Sequence, residues 1–235
     1  MRRRSYNNKT VSDYVSSGLL VSLDGYDAPQ NGKWVSRVNG YTFSTSNIVY
    51  DSTNHKYNFT NYGIVSDQDI AYESNAITIQ LIDDGTIYNN TSLAILFESS
   101  SNFNNYTNSF IIDISEFVAR ALLLANRSTT SSYRRMKGTA AQTRNAKSQY
   151  TFMLGSNYFK LYINGTDATN VEIDYSGTPY TILPNYSSYP LYFGARGVSN
   201  YVTNLGCNAM RLYNRILTTA EMATNLAADK QRFNF

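Results

Sequence analysis

Short runs that alternate apolar and polar residues recur along almost the whole chain, and this period of two restricts its fold more than any other feature. Ala76 to Ile82 sets Ile77, Ile79 and Leu81 against Thr78 and Gln80. Phe159, Leu161 and Ile163 alternate with Lys160 and Tyr162, and Val171, Ile173 and Tyr175 with Glu172 and Asp174. Successive side chains of a strand point to opposite faces, so each run offers one face to a core and one to solvent. Leu19 to Leu23, Leu93 to Phe97, Ser109 to Ile114, Tyr150 to Leu154, Tyr189 to Phe193 and Ala209 to Tyr213 also read as strands. Composition agrees. The 21 Tyr and 11 Phe suit a pleated, half-buried surface, and the abundant Asn, Ser and Thr suit turns. Asn164-Gly165 between two alternating runs is a turn signal, although the loop before Val171 is longer than two residues.

One segment leaves the period of two. Thr218 is an N-cap, Glu221 three residues later completes a capping box, and Leu217 with Met222 forms a hydrophobic staple. Met222 and Leu226 share a face at i, i+4. This predicts a helix from Thr219 to about Lys230, docked on the edge of the fold or covering it, with Phe233 and Phe235 pinning the tail. A single late helix after many strands predicts an all-β, two-sheet antiparallel sandwich. No internal repeat and no Pro/Gly linker interrupts it. One domain is expected over 18–235, preceded by a basic arm over 1–17.

Several classes are set aside by composition. Cys207 is the only cysteine, so neither an internal disulfide nor a cysteine zinc site can form. No apolar run approaches the ~20 residues that a membrane helix needs. Met1-Arg2-Arg3-Arg4 is followed by Ser5-Tyr6-Asn7-Asn8-Lys9-Thr10, a polar stretch that does not read as a secretion signal. Sequons such as Asn58-Phe59-Thr60 and Asn164-Gly165-Thr166 are what chance gives in so Asn- and Thr-rich a chain.

The net charge of +3 is unevenly spread. No acid stands between Glu116 and Asp167, where Arg120, Arg127, Arg134, Arg135, Lys137, Arg144, Lys147 and Lys160 lie. Two readings stay open: a solvated basic loop, or a surface that meets an acidic glycan, a phosphate or an acidic protein. On the second, Arg2, Arg3, Arg4, Arg134, Arg135 and Lys137 are the candidate partner-binding residues. Asn126 to Ser148 is the least structured stretch, read as a long loop or a partner-binding arm. Nucleic acid is disfavoured as a partner, because the aromatic interleaving of single-strand binders is thin.

The closing segment carries a resemblance. Met210-Arg211-Leu212-Tyr213-Asn214-Arg215-Ile216-Leu217-Thr218-Thr219-Ala220-Glu221-Met222 resembles the final strand and capped helix of laminin-G-like, concanavalin A-like jelly rolls. Phe159-Lys160-Leu161-Tyr162-Ile163-Asn164-Gly165, Leu191-Tyr192-Phe193-Gly194-Ala195 and Gly18-Leu19-Leu20-Val21-Ser22-Leu23-Asp24-Gly25 resemble other strands of that family. The likeness spans about 18 to 233, except for 84 to 148. With its short basic start, the chain resembles members encoded by tailed bacteriophages and prophages. That resemblance implies a virion protein: a head fibre, decoration or tail component, made in the host cytoplasm. Its implied partners are other virion proteins, further copies of itself and host-surface glycans.

Candidate chemistry is sparse. His55, the one histidine, sits in the polar segment Asp51-Ser52-Thr53-Asn54-His55-Lys56 and reads as a surface or hydrogen-bonding residue. Glu172 and Asp174 have the i, i+2 spacing that paired glycosidase carboxylates need, and read equally as the solvent face of a strand. Asp67, Asp69, Asp83 and Asp84 read as loop or turn acids. Calcium, the metal the family most often holds, has Asp24 and Asp27 as candidate ligands, against a plain Asp-closed turn. No other cofactor is expected. Tyr180, Tyr186 and Tyr189 lie among Pro179, Pro184 and Pro190, where tyrosines serve a sugar or a subunit interface equally well. The chain therefore reads as a non-enzymatic structural or binding protein. A free-standing carbohydrate-binding module and a glycan hydrolase are the alternatives.

Overall fold

A computed structural model describes residues 13–72, 74, 76–86, 94–99, 109–115, 118–124, 133–139, 146–155, 158–169, 172–176, 188–195 and 202–235. In chain order the strands begin with β1 (Leu19–Asp24), β2 (Lys33–Val35), β3 (Thr42–Ser44), β4 (Val49–Asp51), β5 (Lys56–Phe59) and β6 (Ile64–Val65). Next come β7 (Ala76–Asp83), β8 (Ala94–Ser99), β9 (Ser109–Ser115), β10 (Val118–Leu124), β11 (Tyr133–Thr139) and β12 (Ser148–Gly155). The last are β13 (Tyr158–Ile163), β14 (Thr166–Asp167), β15 (Glu172–Ser176), β16 (Leu191–Phe193) and β17 (Leu205–Tyr213), followed by α1 (Thr219–Phe233).

Two antiparallel sheets result. The first runs β14-β13-β12-β7-β17-β5-β4, with β1 pairing along the C-terminal half of β17. The second runs β15-β11-β10-β9-β8-β16-β6. Between them lies one core. The first sheet contributes Val21, Leu23, Ile77, Ile79, Leu81, Phe152, Leu161 and Leu212, and the second Phe110, Ile112, Leu191 and Phe193. The hairpin β2–β3 adds Trp34 and Phe43, and Trp34 stacks on Tyr57 at 3.9 Å. The protein is an all-β sandwich, as the alternating runs required.

Alternation placed Ile77, Ile79 and Leu81 correctly in the core, but the opposite face of these strands does not meet water. Thr78 and Gln80 are fully buried. The reason is α1, which lies over the outer face of the first sheet rather than along an edge. Its box is intact: the Thr218 hydroxyl accepts from the Glu221 amide, and Glu221 accepts from the Thr218 amide. Leu217 and Met222 share an apolar cluster with Leu19, Met153 and Tyr213. The helix runs on to Phe233, three residues past Lys230, because Phe233 closes a second cluster with Ile82 and Ala209. Phe235 packs against that cluster.

Two further expectations change. Tyr133–Thr139, inside the stretch read as a loop or arm, is a strand between β10 and β15. Its low apolar content concealed it, since Arg134, Arg135 and Lys137 occupy three of its seven positions. Asn164-Gly165 does make a two-residue turn, with φ of 50° and 80°, but it joins β13 to the short β14. That added strand accounts for the long connection towards Val171, which lies outside the described residues.

Candidate functional site

Beneath α1 the polar residues of the first sheet form a closed layer. Asn225 of the helix donates to the Gln80 carbonyl oxygen at 2.7 Å and to the Tyr213 hydroxyl at 2.9 Å, while its own carbonyl oxygen accepts from the Val15 amide. Asp229, fully buried, pairs with Arg211 and accepts from the Gln149 amide at 2.5 Å. The Arg211 guanidinium lies 4.2 Å over the ring of Tyr14. Burial opposes the Arg211 charge, and Asp229 more than offsets it, so the guanidinium is held protonated. Burial and the neighbouring Asp229 push the Tyr14 hydroxyl well up, so it stays a neutral phenol. Tyr14 and Val15, in the segment 1–17 read as a basic arm or anchor, thus contact the helix and the layer beneath it.

Asp24 and Asp27 lie at the edge of this layer. Arg232 reaches Asp24 at 2.8 and 3.1 Å, and Arg37 reaches it at 3.1 Å. Arg37 also grips Asp27 with two nitrogens, at 2.6 and 2.9 Å. The positive charge that calcium would bring to these carboxylates is supplied here by guanidinium groups. Among the described residues, no group of three or more His, Cys, Asp or Glu side chains is placed to hold a metal ion.

Register rearranges the basic stretch. Arg134 and Arg135 hold adjacent register positions on β11, paired with Tyr175 and Asp174 of β15. Arg135 stands opposite Asp174 of β15, and Lys137 opposite Glu172. On the other side, Lys137 faces Arg120, which faces Asp113. The acid-free gap in sequence is therefore flanked by acids in the sheet. The same register puts a basic position across from each candidate glycosidase carboxylate. Arg2, Arg3 and Arg4, like Tyr180 and Tyr186, lie outside the described residues. Tyr189 bridges to Ile70 and is half-buried.

The open surface is at one end of the sandwich, where the β4–β5 turn, the residues after β7 and those before β17 converge. Two adjacent hollows lie there. The first, about 430 Å³, is lined by Tyr26, Ser52, Thr53 and His55. His55 stacks on the Tyr26 ring at 3.9 Å, and Arg232 lies 4.4 Å over the same ring. Two groups that close must take opposite faces of it. Asp51, the acid nearest His55 in sequence, is committed to the turn: it accepts from the Thr53 and Asn54 amides and from the Asn54 side chain.

The second hollow, about 320 Å³, is lined by Lys56, Asn58, Phe59, Thr60, Asp84, Thr86, Asn204, Leu205 and Gly206. Lys56 pairs with Asp84. The Thr86 hydroxyl donates to Asp84 at 2.9 Å and accepts from the Gly206 amide at 2.7 Å. Gly206 has no side chain because a Cβ there would sit 2.3 Å from the Asp84 carboxylate. Phe59 and Leu205 are buried in the core, so the lining offers mainly amides, hydroxyls and one ion pair. Sequence reasoning took Asp84 only as a turn acid and passed over the others. Nothing local links 56–60, 84–86 and 204–206; they meet because β17 pairs with both β5 and β7.

Neither a family model nor a curated protein matches the sequence. Solved structures do match the fold. Trypanosoma rangeli sialidase, solved with a difluorinated keto-deoxy-nononic acid, is 13% identical with a TM-score of 0.61, over 91% of this chain and 33% of that one. The binding domain of botulinum neurotoxin DC in complex with SialylT is 10% identical with a TM-score of 0.63, over 90% of this chain and 51% of that one. A botulinum neurotoxin type C structure, from work on cell entry dependent upon two ganglioside molecules, is 12% identical with a TM-score of 0.63 and the same coverage. This chain thus spans about a third of the sialidase and half of the toxin chains.

Proposed function

We propose that this chain is a non-enzymatic glycan-binding module whose ligand sits at the loop end, across the second hollow. One observation carries the reading: an open depression lined by the polar side chains of Lys56, Asn58, Thr60, Asp84 and Asn204. A sugar presents a perimeter of hydroxyls that both donate and accept. A few well-placed polar groups around a depression suit such a ligand. Solved structures of similar fold, one in complex with SialylT and one from work on ganglioside-dependent cell entry, support a glycan as the ligand class. Absence of turnover is supported by the committed state of the nearby carboxylates. Asp83 accepts from the Gly85 amide and the Thr86 hydroxyl, and Asp84 is bound by Lys56 and Thr86.

The setting we propose, displayed on a tailed-phage particle in several copies, rests on the chain's resemblance in sequence to laminin-G-like members encoded by such phages. Light scattering on the purified protein tests it: a defined trimer or larger ring agrees, and a monomer at all concentrations does not.

A panel of immobilised glycans tests the binding function. The wild type retains at least one class of glycan and releases no free sugar from it on incubation. Replacing both Asn58 and Asn204 with Ala lowers that affinity at least about tenfold, because two hydrogen bonds to a polar ligand are lost. Circular dichroism confirms that the variant is folded. Equal binding by the double variant removes the hollow as the site, and released sugar removes the non-enzymatic reading.

A further inference from the structure

The charge arrangement of the second hollow bears on which sugars it accepts. Among the described residues Lys56 is its one cationic lining residue, and it pairs with the Asp84 carboxylate. The next lysine, Lys147, donates to the Phe233 carbonyl at 3.0 Å and is half-buried. Burial lowers its affinity for a proton; the Asp84 charge opposes this and the Lys56 charge adds to it. Asp83 adds a second carboxylate behind Asp84, and Asp51 a third at the neighbouring turn. Asp51 keeps its charge readily, since the Asn54 side chain and amide hydrogen-bond it and hold its pKa below the usual value. An incoming carboxylate or sulfate would therefore find Lys56 already neutralised and Asp84 at van der Waals range.

We infer that the hollow selects neutral sugars bearing vicinal hydroxyls and rejects acidic ones. This rests on the glycan-binding reading above and narrows it. Two neighbouring hydroxyls match the ion pair: one accepts from the Lys56 ammonium while the other donates to the Asp84 carboxylate. Asn58, Thr60 and Asn204 on the rim supply neutral donors and acceptors for the remaining hydroxyls. An acidic sugar can use the ammonium only by displacing Asp84, and then lies beside the displaced charge. Like-charge contact at close range is a strong means of rejection.

The test uses the full chain and an array of matched pairs, neutral glycans beside their sialylated, uronic-acid-containing or sulfated counterparts. The expected result is binding to neutral members at least about tenfold tighter than to their acidic counterparts. Acidic members bound equally or better overturn this inference and leave glycan binding intact. No member bound overturns both. A second arm uses Asp84→Asn, nearly isosteric, with circular dichroism to confirm the fold. It leaves Lys56 unneutralised, so the acidic-to-neutral affinity ratio rises at least about fivefold. An unchanged ratio in a folded variant shows that Asp84 does not set the preference and overturns the inference.

Discussion

Asp229 carries the largest consequence of any single side chain outside the core. It is fully buried, its partner Arg211 is 2% exposed, and the Tyr14 ring stacks on that guanidinium. A buried ion pair contributes little net stability over an apolar pair of equal volume. Removing one member, however, strands the other charge in the interior. Asp229→Ala is therefore expected to cost about 3–5 kcal/mol, read by urea unfolding. The double replacement Arg211→Met with Asp229→Leu recovers most of that loss. A single variant within about 1 kcal/mol of wild type would mean that water enters beneath α1 and solvates Arg211. Sequence gave no warning of this pair. Arg211 sits in a strand pattern and Asp229 in a helix pattern, and at both positions a charge is ordinarily read as solvent-facing. Asp24 and Asp27 were weighed in sequence as calcium ligands against a turn closed by Asp side chains. Their guanidinium partners, Arg37 and Arg232, lie 10 and 208 residues away from them in the contacts recorded. That distance is what hid the ion-pair reading.

At the scale of elements, the helix was the most legible part. Its cap, box and staple are local codes, each readable within five residues, and all three are present. Glu221 is the residue that ties them together. It accepts from the Thr218 amide and is bridged by two Arg215 nitrogens at 2.7 and 2.9 Å. The Arg215 bonds, and then the Thr218 amide, lower its pKa from 4.5 to about 2. A carboxyl whose folded pKa is depressed stabilises the fold fully above its unfolded value. That contribution fades as pH falls from about 4.5 towards 2. Glu221→Gln is expected to cost about 1 kcal/mol at pH 7, of the size of a lost cap. The gap to wild type should narrow below pH 4.5 and close near pH 2 in urea titrations. A gap independent of pH would assign the loss to shape rather than charge. The strands were legible where one face is apolar, as in β7, and illegible in β11. There Arg134, Arg135, Lys137 and Gly138 leave no alternation to see, and only pairing with β10 and β15 makes the strand.

For the whole molecule, period-two runs and a single late helix were enough to predict an all-β sandwich. They were not enough to predict where α1 lies. An edge and a face are equally available to an amphipathic helix. The deciding signal is the row Thr78, Gln80, Gln149, Thr151 and Arg211, polar residues on the three central strands that match Asn225 and Asp229 across the interface. A site assembled from three distant loops is the least legible feature of all, since its residues share nothing in sequence but their polarity. The account holds that this end of the sandwich, and not the charged rows of the second sheet, meets the glycan. Amide chemical-shift mapping during titration with a glycan retained from the array tests this most directly. The account predicts shifts concentrated at Lys56, Asn58, Asp84, Thr86, Asn204 and Gly206. Shifts confined to β10, β11 and β15, with those six unmoved, would contradict it.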